Sequence, residues 1–391
     1  MAFPLNAVIA SAVRTPIGRA IKGTLRDTRP DDLAAVAIDA AIARVKGLKK
    51  EDVDDVILGC AMPEGAQGMN IARNAALLAG LPDTVSGETI NRFCSSGLQA
   101  VAHAAQAVHT GMQPVVIAGG VESMSMVPMQ TARLSLNPEL VNQHPEIYIS
   151  MGNTAENVAK RFDVSRDAQD QFALRSHQKA VAAIKAGRFK EEIVAVKARR
   201  LEGKDVTELM FDTDECPRGD TTIDALQKLK PAFAAKDGTV TAGNSSPLND
   251  GAAALVLLSE AKAKELGITA FGRMRAFAVA GVAPDIMGIG PVPAIQKLLK
   301  SVGLSVNDID LFEINEAFAS QAIYCQRELK IPDEKLNVNG GGIAIGHPLG
   351  CTGARLTTTL LHELHKRKGK LGIVSMCVGG GMGAAGLFEI A

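Results

Sequence analysis

The chain has 391 residues, 47% of them hydrophobic, and its 42 acidic and 42 basic side chains leave no net charge. That length exceeds one ordinary core and predicts two or three packed domains, while the charge balance removes the simple electrostatic case for binding nucleic acid or an anionic membrane. Six cysteines, at 60, 94, 216, 325, 351 and 377, form no C-x-x-C pair, so neither a metal site nor a disulfide framework is indicated and a reducing compartment is expected. The start, Met1-Ala2-Phe3-Pro4-Leu5, lacks a basic segment followed by a long apolar run, and no stretch approaches about 18 uninterrupted apolar residues. The expectation is a soluble cytoplasmic protein without membrane insertion. The 38 glycines and few aromatics predict close helix–sheet packing in an α/β fold.

From the N-terminus, Asn6 to Val13 reads as a strand and Arg29 to Val45 as a helix. A repeat begins soon after. Asp52-Val53-Asp54-Asp55-Val56-Ile57 resembles Asp308-Ile309-Asp310-Leu311-Phe312-Glu313 at an offset of 256 residues (52 to 308), an acidic turn leading into a strand and then a helix in both places. Next, Asn91-Arg92-Phe93-Cys94-Ser95-Ser96-Gly97 precedes a helix marked by Leu98, Val101, Ala102, Ala105 and Val108 and stopped by Gly111. Cys94 thus sits at a helix N-terminus, where unpaired N–H groups and the positive end of the macrodipole favour thiolate over thiol. A buried structural cysteine is the alternative, and this stretch alone does not choose between them.

The Cys94 helix start resembles Cys351-Thr352-Gly353-Ala354 at an offset of 257 residues (94 to 351). Val116-Ile117-Ala118-Gly119-Gly120 resembles Ile373-Val374-Ser375-Met376-Cys377 at the same offset (116 to 373). A shared offset predicts two similarly folded halves. The last strands, Gly251-Ala252-Ala253-Ala254-Leu255-Val256 and Gly383-Ala384-Ala385-Gly386-Leu387-Phe388, are only 132 residues apart (251 to 383). The first half therefore carries about 125 extra residues between Glu122 and Gly251. This insert holds a helix from Arg166 to Ala186, capped by Ser165 and ended by Gly187, a hydrophilic run from Lys197 to Asp220, and the loop Thr241-Ala242-Gly243-Asn244-Ser245-Ser246-Pro247. A long insertion of this kind is expected to be a lid or binding domain.

Three further stretches concentrate chemistry. Asn315-Glu316-Ala317-Phe318 follows the strand Leu311 to Ile314, at the strand end where α/β sheets place ligand-contacting groups. Gly340-Gly341-Gly342-Ile343-Ala344-Ile345-Gly346-His347-Pro348-Leu349-Gly350 lets backbone approach a ligand and delivers an imidazole to the next helix. Cys377-Val378-Gly379-Gly380-Gly381-Met382-Gly383 ends a buried strand on a second thiol. Each has a plain alternative: Asn315 as a helix cap, His347 as a satisfied core residue, and the glycines as a dinucleotide loop, though G-x-G-x-x-G is absent. His362 and His365, beside Lys366, Arg367 and Lys368, read as a solvated face, and His103 and His109 as packing or surface residues. In conjunction, two cysteines, a histidine and an asparagine at equivalent ends of a duplicated fold suit a thiol nucleophile with a base and an oxyanion site.

At this point the chain resembles the thiolase family over essentially its whole length. The resemblance runs through Asn91-Arg92-Phe93-Cys94-Ser95-Ser96-Gly97-Leu98-Gln99, Gly243-Asn244-Ser245-Ser246, Asn249-Asp250-Gly251-Ala252-Ala253, Asn315-Glu316-Ala317-Phe318, Gly346-His347-Pro348 and Cys377-Val378-Gly379. It implies two βαβαβαββ halves in five αβαβα layers, with residues 1–122 and 248–272 as one half, 273–391 as the other, and 123–247 as an inserted loop domain that binds CoA. By motif, Cys94 would be the acylated nucleophile, His347 would take its proton, and Cys377 would be a second acid/base. One oxyanion site would combine His347 with a water held by Asn315, the other the backbone N–H groups of Cys94 and Gly379. Arg218 would lie near the adenosine phosphates, with Ala242, Ser246, Phe318 and Met151 also contacting CoA, which is a substrate and not a cofactor.

Ser150-Met151-Gly152 stands where acetoacetyl-specific biosynthetic members carry His-Met-Gly, and Cys94 is followed by Ser95 and not Gly. These features, with His347-Pro348-Leu349-Gly350-Cys351-Thr352-Gly353, resemble the degradative subgroup. The implied activity is 3-ketoacyl-CoA thiolysis in fatty-acid β-oxidation, with acetoacetyl-CoA thiolase as the alternative. The resemblance also implies a homodimer or homotetramer, and a protein partner if the chain serves in a β-oxidation complex. Rival readings are a decarboxylating ketoacyl synthase, in which Cys377 would be idle, a carrier lacking one of the four groups, and an oxidoreductase with a nicotinamide fingerprint that this chain lacks.

Overall fold

The computed structural model describes residues 7–129, 135–203 and 205–390. Strand β1 (Val8–Arg14) is buried on both faces apart from Ala10, the pattern of a strand covered by helices on either side. It is followed by the short β2 (Gly18–Arg19), α1 (Pro30–Ala43), β3 (Asp55–Gly59), α2 (Ile71–Leu78), β4 (Ser86–Ile90), α3 (Ser96–His109) and β5 (Val115–Ser123). The expected strand start, Asn6, lies outside the described residues, and the strand runs one residue past the predicted end. Helix α1 is trimmed at both ends relative to Arg29–Val45, because Pro30 takes the first helical position, where its missing N–H costs nothing.

The insert contains α4 (Pro138–Gln143), α5 (Met151–Arg161), α6 (Arg166–Lys185), the hairpin β6 (Val196–Glu202) and β7 (Asp205–Phe211), and α7 (Ile223–Gln227). Ser165 caps α6 as expected, its hydroxyl accepting the Ala168 N–H at 3.2 Å. The helix ends one residue before the predicted Ala186, and Gly187 follows with φ of 68°. Much of the hydrophilic run is folded: Lys197 to Glu202 pairs antiparallel with Asp205 to Met210. Its core-facing residues, Val196, Ala198 and Phe211, are buried, while the other side is exposed and mixes Lys197, Arg199 and Glu208 with Leu201, Val206 and Met210. The insert is pinned to β1 by Arg14, a fully buried guanidinium. Its Nε donates to Glu192 at 2.6 Å, and its two Nη atoms fork onto the Asp214 carboxylate, each at 2.8 Å.

The chain continues through β8 (Asn249–Leu258), α8 (Glu260–Glu265), β9 (Gly272–Gly281), α9 (Pro291–Val302), β10 (Leu311–Ile314), α10 (Ala319–Leu329), α11 (Gly342–Ile345), α12 (Leu349–Arg367), β11 (Leu371–Val378) and β12 (Met382–Glu389). Outside the hairpin the strands form one ten-stranded mixed sheet ordered β10-β11-β12-β9-β1-β8-β5-β3-β4, with β2 on β8. Outward from the centre the two sides match. On one side β1-β8-β5-β3, and on the other β9-β12-β11-β10, make two antiparallel joins and then a parallel one. Only Val8↔Arg273 and Ile9↔Gly272 pair across the middle. The place of β4 is taken on the second side by a single bridge, Phe312↔Leu336. The repeated acidic turns are matching short 3₁₀ turns, Lys50–Asp52 and Val306–Asp308.

Helices α3 and α12 lie between the two sides of the sheet, α1 and α2 cover one outer face, and α9 and α10 cover the other, giving αβαβα layers. The central pair meets at backbone distance. A Cβ on Gly97 would stand 2.7 Å from the Gly350 carbonyl oxygen and 2.8 Å from the Ala354 nitrogen, so only glycine fits there. That close crossing lays the start of α12 against the start of α3, and with it the turn that carries Cys94.

Candidate active site

Cys94 lies in the 3₁₀ turn Phe93–Ser95 immediately before α3. Phe93 holds φ at 43°, an uncommon conformation for a bulky residue. Local bonds hold it there: Arg92 N–H to Ser96 Oγ at 2.9 Å, Phe93 N–H to Asn91 Oδ1 at 2.7 Å, and Ser96 Oγ–H to the Phe93 carbonyl at 2.7 Å. The Cys94 sulfur faces the backbone N–H of Gly379 and its own. Burial nevertheless pushes the thiol up to about 11, outweighing these donors. The helix terminus was expected to favour the thiolate, and burial works against it, because a sulfur anion at this depth loses more hydration than two N–H groups return.

Cys377 comes from the other half of the molecule, near the end of β11 and opposite Gly383 of β12. Burial first, and then the nearby Cys94, hold its thiol well above the ordinary range. The two thiols meet in one region: the field of Cys94 reaches Cys377, and Gly379, two residues after Cys377, presents its N–H to Cys94. Gly380 and Gly381, with φ of 80° and 82°, make the turn that aims this N–H. Met151 lies beside it, its sulfur 3.5 Å from where a Cβ on Gly379 would be. Met151, Met287, Ala317 and Phe318 form the apolar cluster around Cys377.

His347 is carried by the turn between α11 and α12. Its backbone N–H donates to Asn249 Oδ1 at 2.8 Å, and the preceding carbonyl, of Gly346, accepts from Arg355 at 3.2 Å. Nδ1 lies 2.6 Å from the Thr352 hydroxyl, whereas Nε2 is buried with no hydrogen-bond partner among the described residues. Burial and then the Arg355 charge push the imidazole down to about 3, so it is a neutral ring rather than a cation. Asn315 does not cap a helix: α10 starts at Ala319 with Phe318 as its cap residue. Asn315 is fully buried, both of its side-chain polar atoms lack a partner among the described residues, and its Oδ1 faces Gly342. Buried polar atoms left open in this way are uncommon and mark a place for a ligand or water to be held.

The residues expected to hold CoA fall on two neighbouring surfaces. Arg218, Ala242, His177, Arg19, Ser245 and Ile343 line an open cleft of about 120 Å³. Ser246 and Phe318 are joined to it by backbone pairing: Ser246 N–H donates to the Ala317 carbonyl at 2.9 Å and Ser245 bridges Phe318. Phe318 meets Phe233 edge-on, with ring centroids 6.1 Å apart. Met151 stands apart from this cleft, on the Gly379 side. His177 was given no role by the sequence, yet its Nδ1 accepts the Arg218 backbone N–H at 3.2 Å and its other ring nitrogen lies 3.2 Å from the Arg218 guanidinium. Burial and then Arg218 push His177 down to about 4.

Two carboxylates that build the site carried little signal in the sequence. Glu122, at the end of β5, accepts N–H groups of Ala61 at 2.8 Å and Gly350 at 2.7 Å, and the Gln67 amide at 2.7 Å. It ties β5, the loop after β3 and the start of α12 together. Glu316 accepts the Ser176 hydroxyl at 2.6 Å and the Asn337 amide at 2.8 Å, joining α6 of the insert to the segment leading into the glycine run. Its place between Asn315 and Phe318 was the one available hint. The solvated-face reading of His362 is corrected: it is buried on a central helix, bonded to the Ala12 carbonyl at 3.0 Å and packed on Phe271, and only His365 is exposed. His103 is half-buried and His109 exposed on α3, as expected.

Residues 7–261 match the family model described as the thiolase N-terminal domain, and residues 268–390 the one described as the thiolase C-terminal domain. A 3-ketoacyl-CoA thiolase of Bacillus subtilis (strain 168) is 54% identical over 390 residues, covering 98% of this chain and 99% of that protein. A peroxisomal 3-ketoacyl-CoA thiolase 2 of Arabidopsis thaliana is 49% identical, covering 98% of this chain and 84% of its own. Among solved structures, the crystal structure of the Bacillus anthracis acetyl-CoA acetyltransferase superposes with a TM-score of 0.91 at 47% identity, over 100% of both chains.

Proposed function

The chain belongs to the thiolase family of acyltransferases, and from that premise we propose that it cleaves 3-ketoacyl-CoA with CoA, giving acetyl-CoA and a shortened acyl-CoA in fatty-acid β-oxidation. The observation that carries this reading is the delivery of two buried thiols, one from each half, to one site, with the Gly379 N–H on the Cys94 sulfur. A single nucleophilic cysteine would need only the first. The names borne by the Bacillus subtilis and Arabidopsis thaliana relatives support the 3-ketoacyl-CoA substrate class.

In this mechanism His347 Nε2 takes the Cys94 proton as the sulfur attacks the ketone carbon of the substrate. The carbonyl oxygen gathers charge against the backbone N–H groups of Cys94 and Gly379. The carbon–carbon bond then breaks, and the departing acetyl-CoA carbanion takes a proton from Cys377. A thiol held well above its ordinary range is protonated before this step, which is the state an acid must have. The resulting Cys377 thiolate then removes the proton of an incoming CoA thiol, which attacks the acyl-enzyme; the bond to Cys94 breaks, its sulfur recovers the proton held by His347, and the shortened acyl-CoA is released. His347 Nε2 and Asn315, both buried without a partner among the described residues, suit the enolate oxygen of the acetyl-CoA fragment. CoA itself lies along the cleft of Arg218, Ala242, Ser246 and Phe318, and is a substrate rather than a cofactor. The six free cysteines suit a reducing cytoplasm.

A second reading, acetoacetyl-CoA thiolase, is favoured by the name of the Bacillus anthracis structure, an acetyl-CoA acetyltransferase. Initial rates of CoA-dependent cleavage across 3-ketoacyl-CoA substrates of graded length separate the two. Comparable kcat/KM on several lengths supports the broad thiolase. Activity confined to acetoacetyl-CoA replaces it with the second reading, and no cleavage at any length removes both.

A further inference from the structure

The hydroxyl of Thr352 connects the base of this site to the frame of α12. It is fully buried one turn beyond His347, 2.6 Å from His347 Nδ1 and 2.8 Å from the Pro348 carbonyl. A hydroxyl has one proton to give and lone pairs to accept with. The contact to Pro348 is the usual bond of a helical threonine back to the carbonyl four residues earlier, and it uses that one proton. The remaining short contact then runs the other way, with Nδ1–H donating to Thr352 Oγ1. A neutral imidazole carries a single ring proton, so Nε2 is left with its lone pair. The reverse arrangement, in which the hydroxyl donates to Nδ1, would place an N–H on Nε2, a buried donor with no acceptor among the described residues.

We propose that Thr352 is a positioning residue that fixes His347 in the Nδ1–H tautomer, keeping Nε2 unprotonated and ready to accept the Cys94 proton. The inference rests on the thiolase reading for what the proton transfer accomplishes, but the tautomer itself does not depend on it. In the step that follows, the Sγ–H bond of Cys94 breaks and an Nε2–H bond forms, and the sulfur's electron pair goes to the substrate carbonyl carbon. The ring then holds both protons, Nδ1–H toward Thr352 and Nε2–H toward the reacting oxygen. The backbone that carries the ring is also held, because Asn249 accepts its N–H and Arg355 donates to the carbonyl before it.

The test combines a spectrum with three variants. In protein labelled with ¹⁵N-histidine, two-bond ¹H–¹⁵N correlations identify the protonated ring nitrogen, and the His347 signals are those lost in His347→Asn. The expected result is a protonated Nδ1 and an unprotonated Nε2 in the wild type. Thr352→Val keeps the shape and removes the acceptor; it should shift the ring toward Nε2–H and slow acylation of Cys94 by about 10²-fold, with KM for CoA unchanged. Thr352→Ser restores the acceptor and should return both tautomer and rate. A wild-type ring protonated at Nε2, or a Thr352→Val enzyme that acylates at the wild-type rate, overturns the proposal. If Thr352→Val does not fold, the wild-type and Thr352→Ser spectra still decide it. A wild type with the expected tautomer that never forms an acyl-enzyme overturns the thiolase mechanism instead.

Discussion

A thiol pushed up to about 11 is almost wholly protonated at neutral pH, so Cys94 needs a base at the moment of attack. His347, pushed down to about 3, is in its basic form across the same range. The two shifts have one cause: burial penalises the thiolate and the imidazolium alike, so neither charge forms until substrate brings the compensating interactions. The prediction concerns His347→Ala. Without the imidazole, acylation depends on the thiolate present beforehand, which grows tenfold per pH unit while pH stays below the thiol's pKa. The variant's acylation rate at pH 7 should fall by about 10²- to 10⁴-fold and then climb about tenfold per unit toward pH 9, while the wild type changes less. Stopped-flow acylation rates check this, and a variant rate that is flat with pH would contradict it. Cys94, His347, Asn315 and Cys377 stood out as candidates in the sequence because each sits at an element end within a short distinctive stretch. The protonation state of Cys94 was not legible there, because it depends on burial by residues from both halves of the chain.

At the scale of elements, the site exists because α3 and α12 cross at backbone contact. Gly97, three residues after Cys94, faces the Gly350 carbonyl, three residues after His347. Gly97→Ala would force the helices apart at the point that sets the nucleophile against the base. The expected cost is about 1–3 kcal/mol of stability, measured by urea unfolding, with a fall in acylation rate larger than any change in KM for CoA. Unchanged stability and rate would mean that the crossing absorbs a methyl group and is not what fixes the pair. The crossing could not be read from the chain, since Gly97 and Gly353 looked like ordinary helical glycines. The helices themselves were legible from Leu98, Val101 and Val108 and from the repeat. The β6–β7 hairpin was hidden because its charged residues, among them Arg199 facing Glu208, interrupt the apolar alternation, and most of its side chains are exposed.

For the whole molecule, the repeat was legible because α3 and α12, β5 and β11, and the two acidic turns keep equivalent places in the fold, and hence one offset. The insert between β5 and β8 was legible as a break in that offset. The sheet ends at β4, whose outer edge is unpaired among the described residues, and Met69, Leu77 and Leu78 are exposed in the α2 region beside it. An open edge with apolar neighbours is a template for a second chain, so we expect a homodimer, with a tetramer as a pair of dimers. Light scattering on the eluting protein tests this; a fully active monomer would remove it. Within each chain, two thiols from two halves divide one reaction between them. The most direct measurement of this division is intact-mass detection of the acyl-enzyme, alongside turnover on 3-ketoacyl-CoA, for wild type, Cys94→Ala and Cys377→Ala. An acyl adduct is expected on the wild type, none on Cys94→Ala, and on Cys377→Ala a slow adduct from acetyl-CoA with turnover lowered by about 10²-fold or more. Near-normal turnover by Cys377→Ala would contradict the division and move the decarboxylating synthase reading to first place.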